Sequence, residues 1–364
     1  MTPDVAVRRP SAAADSPTGD AASRRSGARG RMLVCAYEDR ASDVIGLKLL
    51  VASLLRHSPG LDIEITIPDA PAETRAWFEA RPRVRVRTDI EGRPGWNVKP
   101  TLLTRALAEG AEQAIWIDSD IIVNSDIRAI MDRAPPTAIV FAEDVFGAPR
   151  AGGTARTAGL GLAVGRRMRA TANTAVVRVT GAHLELLDAW HELLEREDYL
   201  AAQRRPFQER PLWFIGDQEL LTGLLGSTRF SDIPIVWLRA GPEVAHCFPP
   251  PGGMGYAAHQ RVANVLRART PMFVHSCCDK PWRPPGGAPT LHFETSPYTL
   301  LAADYERDLG ESLPWTRPTL WTARLLRAVS RDGPTATGLL PAVWREITDQ
   351  RALKVIVKRA LGWE

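Results

Sequence analysis

Between residues 31 and 123 the chain alternates short apolar runs with segments of helical periodicity, and that alternation constrains the fold more than any other feature. "RMLVCAYE" (31–38), "LDIEITIPD" (61–69), "RVRVRTD" (83–89) and "AIWIDSDIIV" (114–123) read as strands. Between them, "SDVIGLKLLVASLLRHSPG" reads as a helix with Ser42 as N-cap and a Pro-Gly stop. "PAETRAWFEAR" and "KPTLLTRALAEG" read as two more helices, the second ending at Gly110. Strands separated by helices build a mostly parallel sheet with helices on both faces, the Rossmann-like α/β class. Downstream, "TAIVFAEDVFG", "TANTAVVRVT", "SDIPIVWL" and "MFVHSCCDKPW" are expected strands, with helices near 181–196 and in "FIGDQELLTGLL".

One of these runs carries a contradiction. "AIWI" is continuously apolar, as a strand buried on both faces must be, yet Asp118 and Asp120 follow at once with Ser119 between them. Buried carboxylates cost several kcal/mol each unless paired. Ligands of parallel sheets sit beyond the carboxyl ends of the strands, so the pair is expected at such a mouth, both directed to one side by the pleat. Two carboxylates so placed suit a hard divalent cation, Mg²⁺ or Mn²⁺, with positions left for phosphate oxygens. The bland reading is a solvated turn.

Charge is concentrated at the ends. Residues 1–31 hold six Arg against three Asp, and 315–364 hold nine Lys or Arg against four Asp or Glu, within a net charge of +4. The body between is mildly acidic, which argues against a nucleic-acid groove in the fold. Residues 1–31, without an aromatic residue, are expected to be a disordered tail. Four cysteines without paired zinc spacing point to reduced thiols in a cytoplasmic protein, and a zinc site at His275, Cys277 and Cys278 lacks a fourth ligand. No apolar run is long enough to span a bilayer. Residues 293–364 are expected to form a helical, basic extension. Its last segment, 343–364, is amphipathic and is either a helix packed on the domain or a peripheral contact at the inner face of a membrane.

"WNVKPTLLTRAL…IWIDSDIIV", "ANTAVVRVT", "GDQELLT" and "HSCCDKPW", in that order over about residues 32–285, resemble glycosyltransferases of the GT-A fold, most of all the retaining family 8 enzymes. The resemblance implies a domain over 32–292 and transfer of a hexose, with retention, from a nucleoside diphosphate sugar (a uridine nucleotide by default). It implies Asp118, Asp120 and His275 as ligands of Mn²⁺ or Mg²⁺. Lys99, Asp144, Asn173 and Lys280 become donor-binding residues, with Tyr37 counted among them, and Asp217 and Gln218 are set beside the reacting carbon. The chain departs from the family in placing four residues rather than five between His275 and Lys280, and Cys278 where Gly is usual. The acceptor, whether a glycan, a lipid-linked glycan or a small molecule, is not named by these residues. The loops 146–172 and 248–256 are expected to shape its site. A sugar-1-phosphate nucleotidyltransferase would need a Gly-rich loop after the first strand, and "CAYEDRAS" is not one. A catalytically inactive nucleotide-sugar-binding relative and a membrane-surface interaction protein remain as alternatives.

Overall fold

The computed structural model describes residues 31–90, 95–144, 152–248, 256–267, 269–284 and 290–329. The tail 1–30, the segment 343–364 and parts of the loops 146–172 and 248–256 lie outside the described residues. Among the described residues, ten strands form two sheets. They are β1 (Met32–Tyr37), β2 (Asp62–Thr66), β3 (Val84–Arg87), β4 (Gln113–Ile117), β5 (Ile121–Val123), β6 (Ile139–Glu143), β7 (Ala172–Thr180), β8 (Ile235–Leu238), β9 (Val244–His246) and β10 (Phe273–His275). The larger sheet has the order β3-β2-β1-β4-β7-β6-β8 and the smaller β5-β10-β9. In the larger sheet only β7 runs against its neighbours, so the mostly parallel α/β architecture expected from the alternation is what the chain adopts.

The central strands are buried on both faces. In β1, Leu33 and Cys35 pack into one core with Trp116, while Val34 and Ala36 pack into the opposite core with Ile115 and Ile117. The helix Lys99–Ala108 contributes Leu102 and Leu103 to the first core; the helix Val44–His57 contributes Leu47, Leu50 and Val51 to the second. The smaller sheet lies over the second core and is covered by a third, in which Ile122 and Val274 meet Phe293, Tyr298 and Leu301 from the short helices Leu291–Glu294 and Pro297–Ala302. No described helix is long and apolar enough to cross a membrane.

Two local expectations are corrected. The helix Val44–His57 is preceded by a 3₁₀ turn, Ala41–Asp43, and Ser42 does not cap it; the Ser42 hydroxyl donates to Asp43 instead. The more consequential correction concerns "AIWIDSDIIV", which is not one strand. β4 stops at Ile117, residues 118–120 turn with the Ile121 amide donating to the Asp118 carbonyl at 3.2 Å, and β5 starts in the other sheet, antiparallel to β10. Carboxylates that would interrupt a buried strand instead occupy the crossing between two sheets.

Candidate active site

Asp118 and Asp120 converge by a turn and not by a pleat. One ligand atom each from Asp118, Asp120 and His275 lie within 4.8 Å of one another. His275 arrives because β10 pairs with β5 so that His275 faces Ile121, next to Asp120. The turn is pinned from outside. The Ser119 hydroxyl donates to Glu38 at 2.7 Å, and Glu38 is held in turn by two bonds from Arg40 at 2.8 and 2.9 Å. Gly46, in the helix behind, leaves the room: a Cβ there would stand 3.0 Å from the Ser119 carbonyl oxygen and 3.1 Å from Trp282.

Each carboxylate has its own lysine. Lys99, at the start of its helix and 3% exposed, places Nζ 3.2 Å from Asp118 and 3.1 Å from Asp217, and also donates to the Thr174 hydroxyl at 2.9 Å. Burial works against its charge, but Asp118 and Asp217 outweigh that and raise its pKa. Lys280 closes on Asp120 from the other side, with His275 Nε2 at 3.2 Å from the same carboxylate. Burial disfavours the Asp120 anion, yet the Lys280 ammonium beside it holds the carboxyl well below its usual range.

A cleft of about 180 Å³ adjoins this group; its lining includes Lys99, Asp118, Asn173, Asp217, Gln218, Glu219 and His275, with Trp96 and Phe207 as its aromatic walls, while Asp120 and Lys280 stand behind the lining. Asn173 lies in β7, where its side-chain oxygen accepts from the Ala175 amide at 3.1 Å. Asp217 opens the helix Asp217–Leu225 but does not cap it; its carboxylate accepts from Thr174 at 2.7 Å and pairs with Lys99. Gln218 donates its amide to Asp144 at 2.7 Å and to Glu219 at 3.3 Å. Two acceptors around one nitrogen fix the amide orientation, which leaves its carbonyl oxygen for the cleft. Asp144 thus reaches the group through Gln218. Tyr37 stands apart from the cleft lining: its hydroxyl donates to Asp39 at 3.0 Å and accepts from the Gly95 amide at 3.5 Å.

Sequence reading missed three participants. Thr174 bridges Lys99 and Asp217. Glu219 is fully buried at the cleft wall, and burial first, with Asp144 nearby, pushes its carboxyl up to about 8 against the pull of Arg156. The run "GDQE" displays this residue, yet nothing in the run shows that it is desolvated. His246, brought beside His275 by the β9–β10 pairing, has a signal only in the fold. It also forms a second, softer group of three donors with His275 and Cys277, which leaves Cys278 out.

No family model and no curated protein matches the chain. Among solved structures it is similar to the apo form of the WbbM bifunctional glycosyltransferase, at 14% identity over 82% of this chain and 52% of that one, with a TM-score of 0.45. It is also similar to a glycosyltransferase involved in glycosylation of the major capsid of PBCV-1, at 13% identity over 68% of this chain and 94% of that one (TM-score 0.39). A third is the glycosyltransferase GlyE of Streptococcus pneumoniae TIGR4, at 14% identity over 77% of this chain and 64% of that one (TM-score 0.41). The chain spans about half the length of the first of these. Likeness at this level carries no chemistry, so function is argued from the site itself.

Proposed function

We propose that this chain is a glycosyltransferase of the GT-A type, moving a hexose from a nucleoside diphosphate sugar to an acceptor with retention of configuration and with the help of a divalent cation. The observation that carries this reading is the meeting of Asp118, Asp120 and His275 at the junction of the two sheets, beside a cleft lined by Asp118 and His275 together with Asn173, Asp217 and Gln218. Two carboxylates and an imidazole within 4.8 Å of one another fit Mn²⁺ or Mg²⁺, whose hard oxygen-seeking character suits this donor set. When bound, the cation supplies positive charge to the diphosphate as it leaves.

The protein's own groups do the rest. Lys280 and Lys99, both buried and both charged, add fixed positive charge beside the same oxygens, where low dielectric magnifies its effect. The free carbonyl oxygen of Gln218 faces the developing positive charge on the sugar. Asn173 orients the sugar hydroxyls, and Asp144 acts on the sugar through Gln218, whose amide it holds. Attack from the side the diphosphate leaves gives retention, and the departing diphosphate takes the acceptor's proton, so no separate general base is required.

Calorimetry with a panel of nucleoside diphosphate sugars, with Mn²⁺ and with EDTA, tests this on wild type and Asp120→Ala. Metal-dependent binding of one donor class, lost in Asp120→Ala, is the expected result. Equal binding in EDTA would make Lys99 and Lys280 the sole cations and remove the metal from the scheme. Failure of every donor under every condition would end the glycosyltransferase reading.

A further inference from the structure

We infer that His246 is a positioning residue that fixes which nitrogen of His275 faces the Asp118–Asp120 group. The inference rests on the proposed reading of that group as a metal site, and it turns on where two protons must sit.

His246 and His275 are the last residues of β9 and β10, which are parallel and in register so that the two histidines are direct partners. Both are buried, at 1% and 3% exposure, with their rings 5.2 Å apart and tilted by 63°. His246 Nε2 lies 3.2 Å from the main-chain carbonyl oxygen of Glu143, and its Nδ1 lies 3.1 Å from His275 Nδ1. A carbonyl oxygen only accepts, so His246 Nε2 carries a proton. In a neutral imidazole that proton leaves Nδ1 bare. A bare Nδ1 accepts, hence His275 Nδ1 is the donor. A His275 that ligates a cation must be neutral, so with Nδ1 protonated its Nε2 is the nitrogen that offers the lone pair, and that atom lies 3.2 Å from Asp120 Oδ1.

A ligating histidine commonly has its second nitrogen committed to an outer partner, which fixes tautomer and ring orientation. Here the outer partner is another histidine, itself fixed by the end of β6. Free in water, a neutral imidazole favours the proton on Nε2, the nitrogen that must be bare; His246 reverses that preference. The order carbonyl 143, His246, His275, Asp120 therefore runs from the large sheet, through the small one, to the turn between them.

Uniformly ¹⁵N-histidine-labelled wild type, in long-range ¹H–¹⁵N spectra without metal and then with Mg²⁺, reads both tautomers directly. The expected result is a proton on Nε2 of His246 and on Nδ1 of His275, with the His275 Nε2 resonance moving on Mg²⁺ addition. Calorimetric Mn²⁺ binding is then compared across wild type, His246→Phe, His246→Gln and Asp120→Asn. His246→Phe is expected to weaken binding ten- to a hundredfold, and His246→Gln, whose amide oxygen still accepts from Nδ1, to recover most of it. A proton found on Nδ1 of His246, or His246→Phe binding Mn²⁺ within twofold of wild type while Asp120→Asn loses it, overturns the inference and leaves the metal site standing. Wild type and Asp120→Asn binding alike, or neither binding, overturns the metal site and the inference together. The wild-type spectra decide the point even if a variant fails to fold.

Discussion

Lys99 sits between two carboxylates and a hydroxyl that would otherwise be buried beside one another. Replacing it with Met keeps most of the stem and removes the charge, leaving Asp217, 6% exposed, without its cation. Loss of one partner of a buried pair costs about 3–5 kcal/mol, so urea unfolding of Lys99→Met is expected to show a loss of that order. Glu219 is the opposite case, a carboxyl whose folded pKa of about 8 lies above its ordinary 4.5. The folded state then holds the proton that the unfolded state has released, so stability falls as pH rises from about 4.5 to about 8. Glu219→Gln removes that slope. Melting temperatures of the variant and wild type are expected to diverge steadily between pH 6 and 9, in the variant's favour; parallel curves would refute it. On the acid side, burial lowers the His183 pKa below 6.5. Its contribution is complete above pH 6.5 and is lost as pH falls below that value, in Glu219→Gln as in wild type.

Among the elements, the helix Val44–His57 and the turn 118–120 are coupled through Gly46. Gly46→Val would put branched carbons against the Ser119 carbonyl and Trp282, where even one Cβ is tight. Overpacking of this kind costs about 1–3 kcal/mol. The displaced turn is expected to lose Mn²⁺ affinity beyond what the lowered melting temperature explains, which binding measured well below the transition would reveal. The elements also show what could be read from the sequence. Period-2 and helical patterns located nearly every strand and helix of the larger sheet, because each buries a full face. The break after Ile117 was not legible, since "IWIDSDIIV" has the same apolar flanks whether it continues or turns. The site followed the same division. Asp118, Asp120, Lys99 and Asp217 belong to local motifs; Thr174 and His246 matter only through strands that pair across long separations, as in the β9–β10 register.

For the molecule as a whole, the helices after residue 290 complete the fold. Phe293, Tyr298 and Leu301 close the outer core over the small sheet. Phe293→Ala is expected to cost about 3–5 kcal/mol, checked by urea unfolding. A chain ending at residue 290 should bind a hydrophobic dye strongly, because the outer face of β5, β10 and β9 would lie open to solvent. Tyr298→Phe tests the same core in the other direction: the Tyr298 hydroxyl is buried with no hydrogen-bond partner among the described residues, so its removal should leave the melting temperature unchanged or raise it.

The passage of the chain from β4 to β5 is three residues long, and Asp118 and Asp120 stand at its two ends. Asp118 is tied back to the large sheet, its amide donating to the Ala175 carbonyl, while the Asp120 carbonyl receives the amide of Ser276, the residue that follows β10. Any ion that bridges the two side chains is therefore a cross-link between sheets. Amide exchange of Ile122 and Val274, in the core of the small sheet, should slow when the site is filled. The carboxylates that begin as a puzzle in a hydrophobic run end as the clasp of the fold.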